Sequence, residues 1–117
     1  MECDGERALC PDLVGASVIE HRVTDHRRSQ ECYRIVSAIE GIEACMELNL
    51  TKGTCVIWFP LSPSKETRLH ERNHCRGWGH TSRTIGGKVF YSWSPFAELD
   101  GLLDPTADGS GEEGSGS

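Results

Sequence analysis

Six cysteines in a chain of 117 residues are the feature that most constrains how this protein folds. They are Cys3, Cys10, Cys32, Cys45, Cys55 and Cys75. An even, high cysteine count in a small domain predicts two or three disulfides and an oxidising compartment. Zinc-binding thiols are the weaker interpretation, because the chain contains no CxxC pair. The spacing leaves the disulfide pairing open.

Two further features bear on the compartment. Asn49-Leu50-Thr51 is an N-glycosylation sequon, which is typical of a secreted chain. The first residues contain neither a basic region nor an apolar stretch, so no signal peptide is recognisable. The cysteines decide the interpretation, and we expect an extracellular protein.

The charge is unevenly distributed along the chain. Net charge is −6, but five of the 18 acidic residues follow Leu99, leaving 13 acidic and 12 basic residues before that point. Residues 100–117 are rich in glycine, serine and acidic side chains, which predicts a disordered acidic tail. Residues 1–99 are predicted to form one globular domain. No apolar run is long enough to span a membrane.

The first half of the chain predicts a strand, a helix and a hairpin. The β-rich residues 16–24 form the strand, and Ser29 caps a helix that ends near Gly41. The apolar side chains of that helix are spaced along one face: Cys32, Ile35, Val36 and Ile39. Alternation over 42–50 and an apolar run over 54–60 predict the hairpin. A second interpretation continues the helix through Gly41 to Leu48.

The second half predicts a weak helix and a second hairpin. Residues 64–74 have helical spacing but little apolar content, so any helix there is expected to be short and exposed. Residues 78–85 and 88–93 flank a glycine pair and form the hairpin. The predicted class is α+β: a small disulfide-stabilised antiparallel sheet, made of two hairpins and the N-terminal strand, with one amphipathic helix packed on it.

One motif carries metal chemistry. His70-Glu71-Arg72-Asn73-His74-Cys75-Arg76-Gly77-Trp78-Gly79-His80 matches HExxHxxGxxH and resembles the signature of metzincin zinc peptidases. The resemblance implies that His70 and His74, one helical turn apart, bind zinc together with His80. It also implies that Gly77 permits a sharp turn and that Glu71 is the general base.

The sequence departs from that family in three respects. The residues between the histidines are polar: Arg72, Asn73 and Arg76. No methionine follows His80, so the family's Met-turn is missing. The chain is also short for a two-lobed peptidase. The zinc peptidase is therefore the second hypothesis, and zinc is expected only under it.

A third hypothesis rests on basic residues. Residues 65–88 carry a local positive charge with a tryptophan nearby, in a patch made of Arg68, Arg72, Arg76, Trp78, Arg83 and Lys88. Such a patch favours binding of phosphate or an acidic surface, and would suit a ribonuclease-like or nucleic-acid-binding domain.

The leading hypothesis is a small secreted protein that acts by binding. In overall profile the chain resembles secreted fungal effectors and killer-toxin subunits, which are small, cysteine-rich and α+β. That resemblance supports a class of protein and not a particular target. Under this hypothesis we expect a protein or cell-surface partner and no cofactor.

Overall fold

Two helices and five strands make up the structure, a computed structural model that describes residues 2–36 and 43–99. In chain order they are β1 (Ser17–Arg22), α1 (Asp25–Val36), β2 (Cys45–Asn49), β3 (Thr54–Phe59), α2 (Lys65–Cys75), β4 (Trp78–Ile85) and β5 (Lys88–Pro95), followed by a short 3-10 helix (Ala97–Leu99). The predicted α+β class is confirmed. The predicted segment boundaries shift by a few residues.

The three-stranded sheet has the order β1-β3-β2. β2 and β3 form the predicted antiparallel hairpin, and Gly53 adopts φ +69 in its turn. β1 pairs with β3 in parallel, so the sheet is mixed and not antiparallel throughout. The parallel pairing is possible because α1 and β2 lie between the two strands in sequence and supply the crossover. The interpretation that continued the helix to Leu48 is wrong, since Cys45–Asn49 is a strand.

Both faces of this sheet are covered, one by each helix. Cys55, Ile57 and Phe59 of β3 form one core cluster with Cys75 of α2. Trp58 faces the other way and clusters with Cys32 of α1. The prediction of one helix on one face is corrected accordingly. The reason is the continuous apolar run of β3, which is typical of a strand buried on both sides.

α2 is buried over part of its surface, whereas the sequence predicted an exposed helix. Thr67, Glu71, Asn73 and Cys75 are all buried. The segment before β1 lies against this helix. Three of its backbone groups form hydrogen bonds with the side chain of Asn73. A polar helix surface can therefore be buried here because backbone groups, and not apolar side chains, cover it.

The six cysteines form three disulfides, as the sequence predicted. The pairs are Cys3–Cys10, Cys32–Cys45 and Cys55–Cys75. The first closes the N-terminal segment on itself, the second joins α1 to β2, and the third joins β3 to the end of α2. Of the elements next to α2, β3 is thus tied covalently to the helix itself, and β2 is tied to α1.

β4 and β5 form the second predicted hairpin, as a separate two-stranded sheet. Gly86 and Gly87 make its turn with φ +60 and +83. At the base of the hairpin Trp78 and Trp93 are buried against Cys10. The hairpin therefore packs on the N-terminal segment and on α2.

The remaining predictions concern the start of α1, the residues outside the described part of the chain, and membrane spans. α1 begins at Asp25 and not after Ser29, because the Thr24 hydroxyl accepts the Arg27 amide. Ile39 and the predicted acidic tail over 100–117 lie outside the described residues. Within residues 2–36 and 43–99, neither helix is long and apolar enough to cross a membrane.

Candidate metal centre

The side chains of His70, His74 and His80 converge on one point. A ring nitrogen of each lies within 4.8 Å of the others, and the Nε2 atoms of His70 and His80 are 3.0 Å apart. In the part of the chain that the structure describes, no other group of three or more potential metal ligands converges in this way. The structure thus brings together the three histidines that the motif singled out.

Local sequence explains how α2 presents two of them. The Ser64 hydroxyl accepts the Thr67 amide and starts the helix, so His70 and His74 lie on the same face, one turn apart. Their ring centroids are 4.8 Å apart. The spacing of the motif therefore sets the first two positions of the centre.

Gly77 brings the third histidine back to the helix. Its φ of +103 lies in a region that side chains rarely adopt. A Cβ at this position would come within 2.7 Å of Leu99 and 3.2 Å of Leu13. Because only glycine satisfies both requirements, the chain can reverse after α2 and place His80, on β4, beside His70.

The other ring nitrogen of two histidines faces an oxygen. His74 donates Nδ1–H to the carbonyl oxygen of Trp78 over 2.8 Å. The Nδ1 atom of His70 lies 3.6 Å from Glu6 Oε2, longer than a hydrogen bond. Oxygen partners at Nδ1 orient the ring and leave Nε2 for a metal, as is usual for metal-binding histidines. The Nδ1 atom of His80 is buried without a partner in the described residues.

Two aromatic residues of β5 pack against the triad. The Trp93 ring lies 5.0, 5.3 and 4.8 Å from the rings of His70, His74 and His80. Tyr91 lies 5.8 Å from His70 and 4.9 Å from His80. His80 and Trp93 are direct cross-strand partners. The imidazoles are thus held by an apolar surface on one side.

The surroundings keep the histidines neutral. Burial, with the nearby His80, lowers the pKa of His70 to about 4. Burial likewise lowers the pKa of His74 to about 4, although the hydrogen bond to Trp78 opposes the shift. Burial also lowers the pKa of His80, against the charge of Glu6. Neutral imidazole is the form that binds a metal.

Glu71 has the environment of a proton acceptor. It is 8% exposed and lines the same cavity as His70. Burial raises its pKa to about 7. A carboxyl group with a pKa near the working pH can both take and return a proton, as general acid–base chemistry requires.

The donor set fits a zinc ion with an open coordination position. Ligands about 2.0–2.1 Å from a tetrahedral zinc are about 3.3–3.4 Å apart. The 3.0 Å between His70 and His80 is close to that spacing, whereas the limit of 4.8 Å for all three nitrogens means that the rings must move closer together around an ion. Three histidines leave the fourth position for water or substrate. The centre therefore has the composition of a catalytic and not a structural zinc site.

The polar residues within the motif have structural partners. Asn73 is fully buried, accepting the Cys10 amide and donating to the carbonyls of Gly5 and Ala8. Arg76 donates to the Cys10 carbonyl, and Arg72 pairs with Glu20. These three residues were the departures from the metzincin pattern. Here they attach the N-terminal segment and β1 to α2.

The predicted basic patch is not assembled as a stacking surface. Trp78 is 0% exposed, with its indole N–H donated to the Pro11 carbonyl. Arg72 and Arg76 are engaged by protein oxygens, whereas Arg68, Arg83 and Lys88 are exposed. Asn49, the predicted glycosylation site, is exposed at the end of β2.

Sequence reasoning missed three residues around the centre: Glu6, Tyr91 and Trp93. Glu6 is separated from His70 by most of the chain, and no spacing rule connects them. Tyr91 and Trp93 are two positions apart in β5 and so lie on one face of the strand, but the sequence does not show which element that face contacts.

Comparisons with protein-family models, with curated proteins and with solved structures found no match to this chain. The function must therefore be argued from the site.

Proposed function

We propose that this protein is a zinc-dependent peptidase whose metal ligands are His70, His74 and His80. The single observation that carries the proposal is the convergence of three neutral ring nitrogens within 4.8 Å, on the residues that the HExxHxxGxxH motif specifies. The alternative of a protein that acts only by binding has no comparable observation in its favour, because nothing in it requires the histidines to meet.

The histidines and Glu71 have distinct roles in this proposal. When bound, zinc supplies a Lewis acid that polarises a peptide carbonyl and acidifies a water molecule. His74 is oriented by the Trp78 carbonyl, and Glu6 lies behind His70. The Glu71 carboxylate takes a proton from the attacking water and delivers it to the leaving amine. A peptide bond is the substrate class that the motif implies.

In this proposal Trp93 supplies the apolar support for the three histidines that a Met-turn gives in the metzincins. Its ring lies within 5.3 Å of all three imidazole rings, so a bulky apolar side chain supports the histidines from β5. The support comes from a strand and not from a turn. The missing methionine is thus compatible with an ordered triad.

Secretion is part of the proposal. Three disulfides with no free cysteine among the described residues are stable in an oxidising compartment. A peptidase in such a compartment meets substrates outside the cell that made it. The expected partner is accordingly a protein or peptide.

The first experiment measures zinc directly. Native mass spectrometry of protein purified without chelator should show one zinc per chain, and His74→Ala should remove it. His26→Ala, which alters an exposed histidine of α1, is the matched control and should retain zinc. Wild-type protein that takes up no zinc, even from a zinc-supplemented buffer, would contradict the proposal.

The second experiment separates catalysis from binding. Glu71→Gln should keep zinc and fold but lower the hydrolysis of a fluorogenic peptide mixture by about 10²–10⁴-fold, because the proton acceptor is lost. Glu47→Gln, at an exposed site on β2, should leave the rate unchanged. A chelator should abolish the wild-type activity, and added zinc should restore it. Zinc-loaded protein that hydrolyses no peptide would leave a metal-binding protein without this activity.

A further inference from the structure

A cavity of about 420 Å³ lies beside the metal centre and shares His70 with it. Four carboxylates line it, from Glu6, Glu43, Glu66 and Glu71, and Tyr91 forms part of its wall. The volume is within the range of ligand-binding pockets. No lysine or arginine is among its lining residues in the described part of the chain.

We propose that this cavity binds the side chain of a basic residue, arginine above all, next to the peptide bond that is cut. The inference rests on the proposed peptidase function and adds a substrate class to it. Three observations support it: the uncompensated charge of the carboxylates, the unpartnered Glu71, and the failure of the carboxylates to converge on one point.

Two of the four carboxylates are held in place by neutral donors. Glu43 Oε1 accepts the Thr67 hydroxyl over 2.6 Å. Glu6 Oε2 accepts the Trp93 indole N–H over 3.1 Å. A neutral donor fixes the position of a carboxylate but leaves its charge in place. The cavity therefore presents negative charge at fixed positions, which favours a cationic ligand.

Glu71 is a separate indication that a ligand enters the cavity. Its side chain lines the cavity and is 8% exposed, and it forms no hydrogen bond or ion pair with any described residue. As the proton acceptor it stays free of the cation, which is bound by the other three carboxylates, those of Glu6, Glu43 and Glu66.

The ligand is an organic cation and not a second metal ion. Among the described residues only the three histidines form a convergent set of metal ligands, so the carboxylates are too dispersed to chelate one ion. A guanidinium group spreads five donors over a plane and can reach separate carboxylates. The exposed Tyr91 ring offers an aromatic face on which that plane can stack.

The location of the cavity determines which substrate residue it selects. His70 belongs both to the metal centre and to the cavity wall, so a side chain in the cavity belongs to a residue adjacent to the reacting bond. The expected specificity is cleavage beside arginine, with lysine second, because lysine carries the charge without the planar fork of donors.

The test is a binding titration of the zinc-loaded protein, followed by the NMR signals of the Thr67 and Tyr91 amides. The probes are N-acetyl-arginine amide, its uncharged equivalent N-acetyl-citrulline amide, and alanine amide with a free amine. We expect the arginine probe to bind at least about tenfold more tightly than the citrulline probe. The variant with both Glu43→Gln and Glu66→Gln should reduce that preference to less than about threefold, whereas Glu47→Gln should retain it.

Equal affinity for the arginine and citrulline probes would overturn the inference, and so would a preference that survives the double substitution. Binding that follows the free amine of alanine amide would also overturn it, since the cation would then be a chain terminus. A peptidase that cuts arginine and citrulline peptides at equal rates would refute the specificity and leave the proposed function intact. A protein without zinc or hydrolysis would refute the function, while the same titration of the metal-free protein would still decide whether the cavity prefers arginine.

Discussion

At the scale of single residues, burial keeps the histidines uncharged, which is the form that the proposed metal site requires. Below pH 6 an exposed imidazole is mostly protonated, and the proton occupies the nitrogen that a metal needs. The pKa of His70 and of His74 is about 4, which leaves both rings neutral well below that pH. Glu71 has the opposite shift, to about 7. The two pKa shifts have opposite effects on how the free energy of unfolding of the metal-free protein changes with pH.

Their combined effect predicts how stability depends on pH. Each lowered histidine binds fewer protons folded than unfolded between about pH 4 and 6.5, so it makes the folded state more stable as pH rises. Glu71 binds more protons folded than unfolded between about 4.5 and 7, so it has the opposite effect. The stabilising contribution of the two histidines with rising pH is larger than the opposing contribution of the one carboxyl group. The free energy of unfolding should therefore rise from pH 5 to 6.5 by on the order of 1 kcal/mol per pH unit.

Urea unfolding with a chelator and intact disulfides measures this slope. In Glu71→Gln the opposing contribution is gone, so the rise with pH should be steeper than in the wild type. A wild-type stability that is flat or falls between pH 5 and 6.5 would show that the two histidines are not held neutral.

The motif predicted the identity of these residues but not their environment. Its spacing is local, and a helix places residues four apart on one face whatever surrounds them. The low pKa values depend instead on burial by Trp93, on another strand. The role of Glu6 depends in the same way on a segment distant in sequence, so neither could be predicted from the eleven residues of the motif.

At the scale of elements, α2 is a helix whose polar surface is buried by backbone. Apolar periodicity indicated an exposed helix, because Leu69 is almost its only large apolar residue. That criterion detects apolar partners alone. Asn73 contributes through three hydrogen bonds to the N-terminal segment, which no hydrophobic pattern reveals. The two hairpins were predicted, but the parallel pairing of β1 and the division of the strands into two sheets were not, because these depend on contacts distant in sequence.

Asn73→Ala tests whether this polar contact supports the metal centre. The substitution leaves the Cys10 amide and two carbonyls unsatisfied, so we expect a loss of about 2–4 kcal/mol in the free energy of unfolding. The displaced segment contains Glu6, so zinc affinity should also fall, by roughly tenfold. Zinc titration and chemical unfolding measure the two effects. Gln30→Ala, which removes an exposed amide from α1, should change neither. Unchanged zinc affinity in destabilised Asn73→Ala would mean that the segment stabilises the fold without organising the site.

At the scale of the whole molecule, one disulfide is attached to the helix of the candidate metal centre and another lies on the opposite face of the sheet. Cys55–Cys75 ties β3 to the turn of α2 that carries His74. Cys32–Cys45 ties α1 to β2 on the opposite face of the sheet. The loops that they close differ little in length, 20 and 13 residues, so their effects on the unfolded chain are similar.

Removing these two disulfides one at a time should therefore distinguish an effect on the free energy of unfolding from an effect on zinc binding. We expect either pair of alanine substitutions, Cys55 with Cys75 or Cys32 with Cys45, to lower the free energy of unfolding by about 3 kcal/mol. Only the loss of Cys55–Cys75 should also weaken zinc binding, measured by competition with a chromogenic chelator under conditions where both variants are folded. Equal weakening in both would show that the centre depends on overall stability and not on the anchoring of α2.

The hydrogen bond between Trp93 and Glu6 joins residues 87 positions apart. Both residues lie beside the three histidines of the candidate metal centre. Contacts of such sequence separation carry a large loop-closure entropy and tend to form late in folding. A ribosome-bound chain that has not yet released β5 lacks the aromatic side of the centre. If the proposed peptidase function holds, hydrolytic capacity would then arise only after synthesis of the domain is complete, and the topology itself would delay activity until that point.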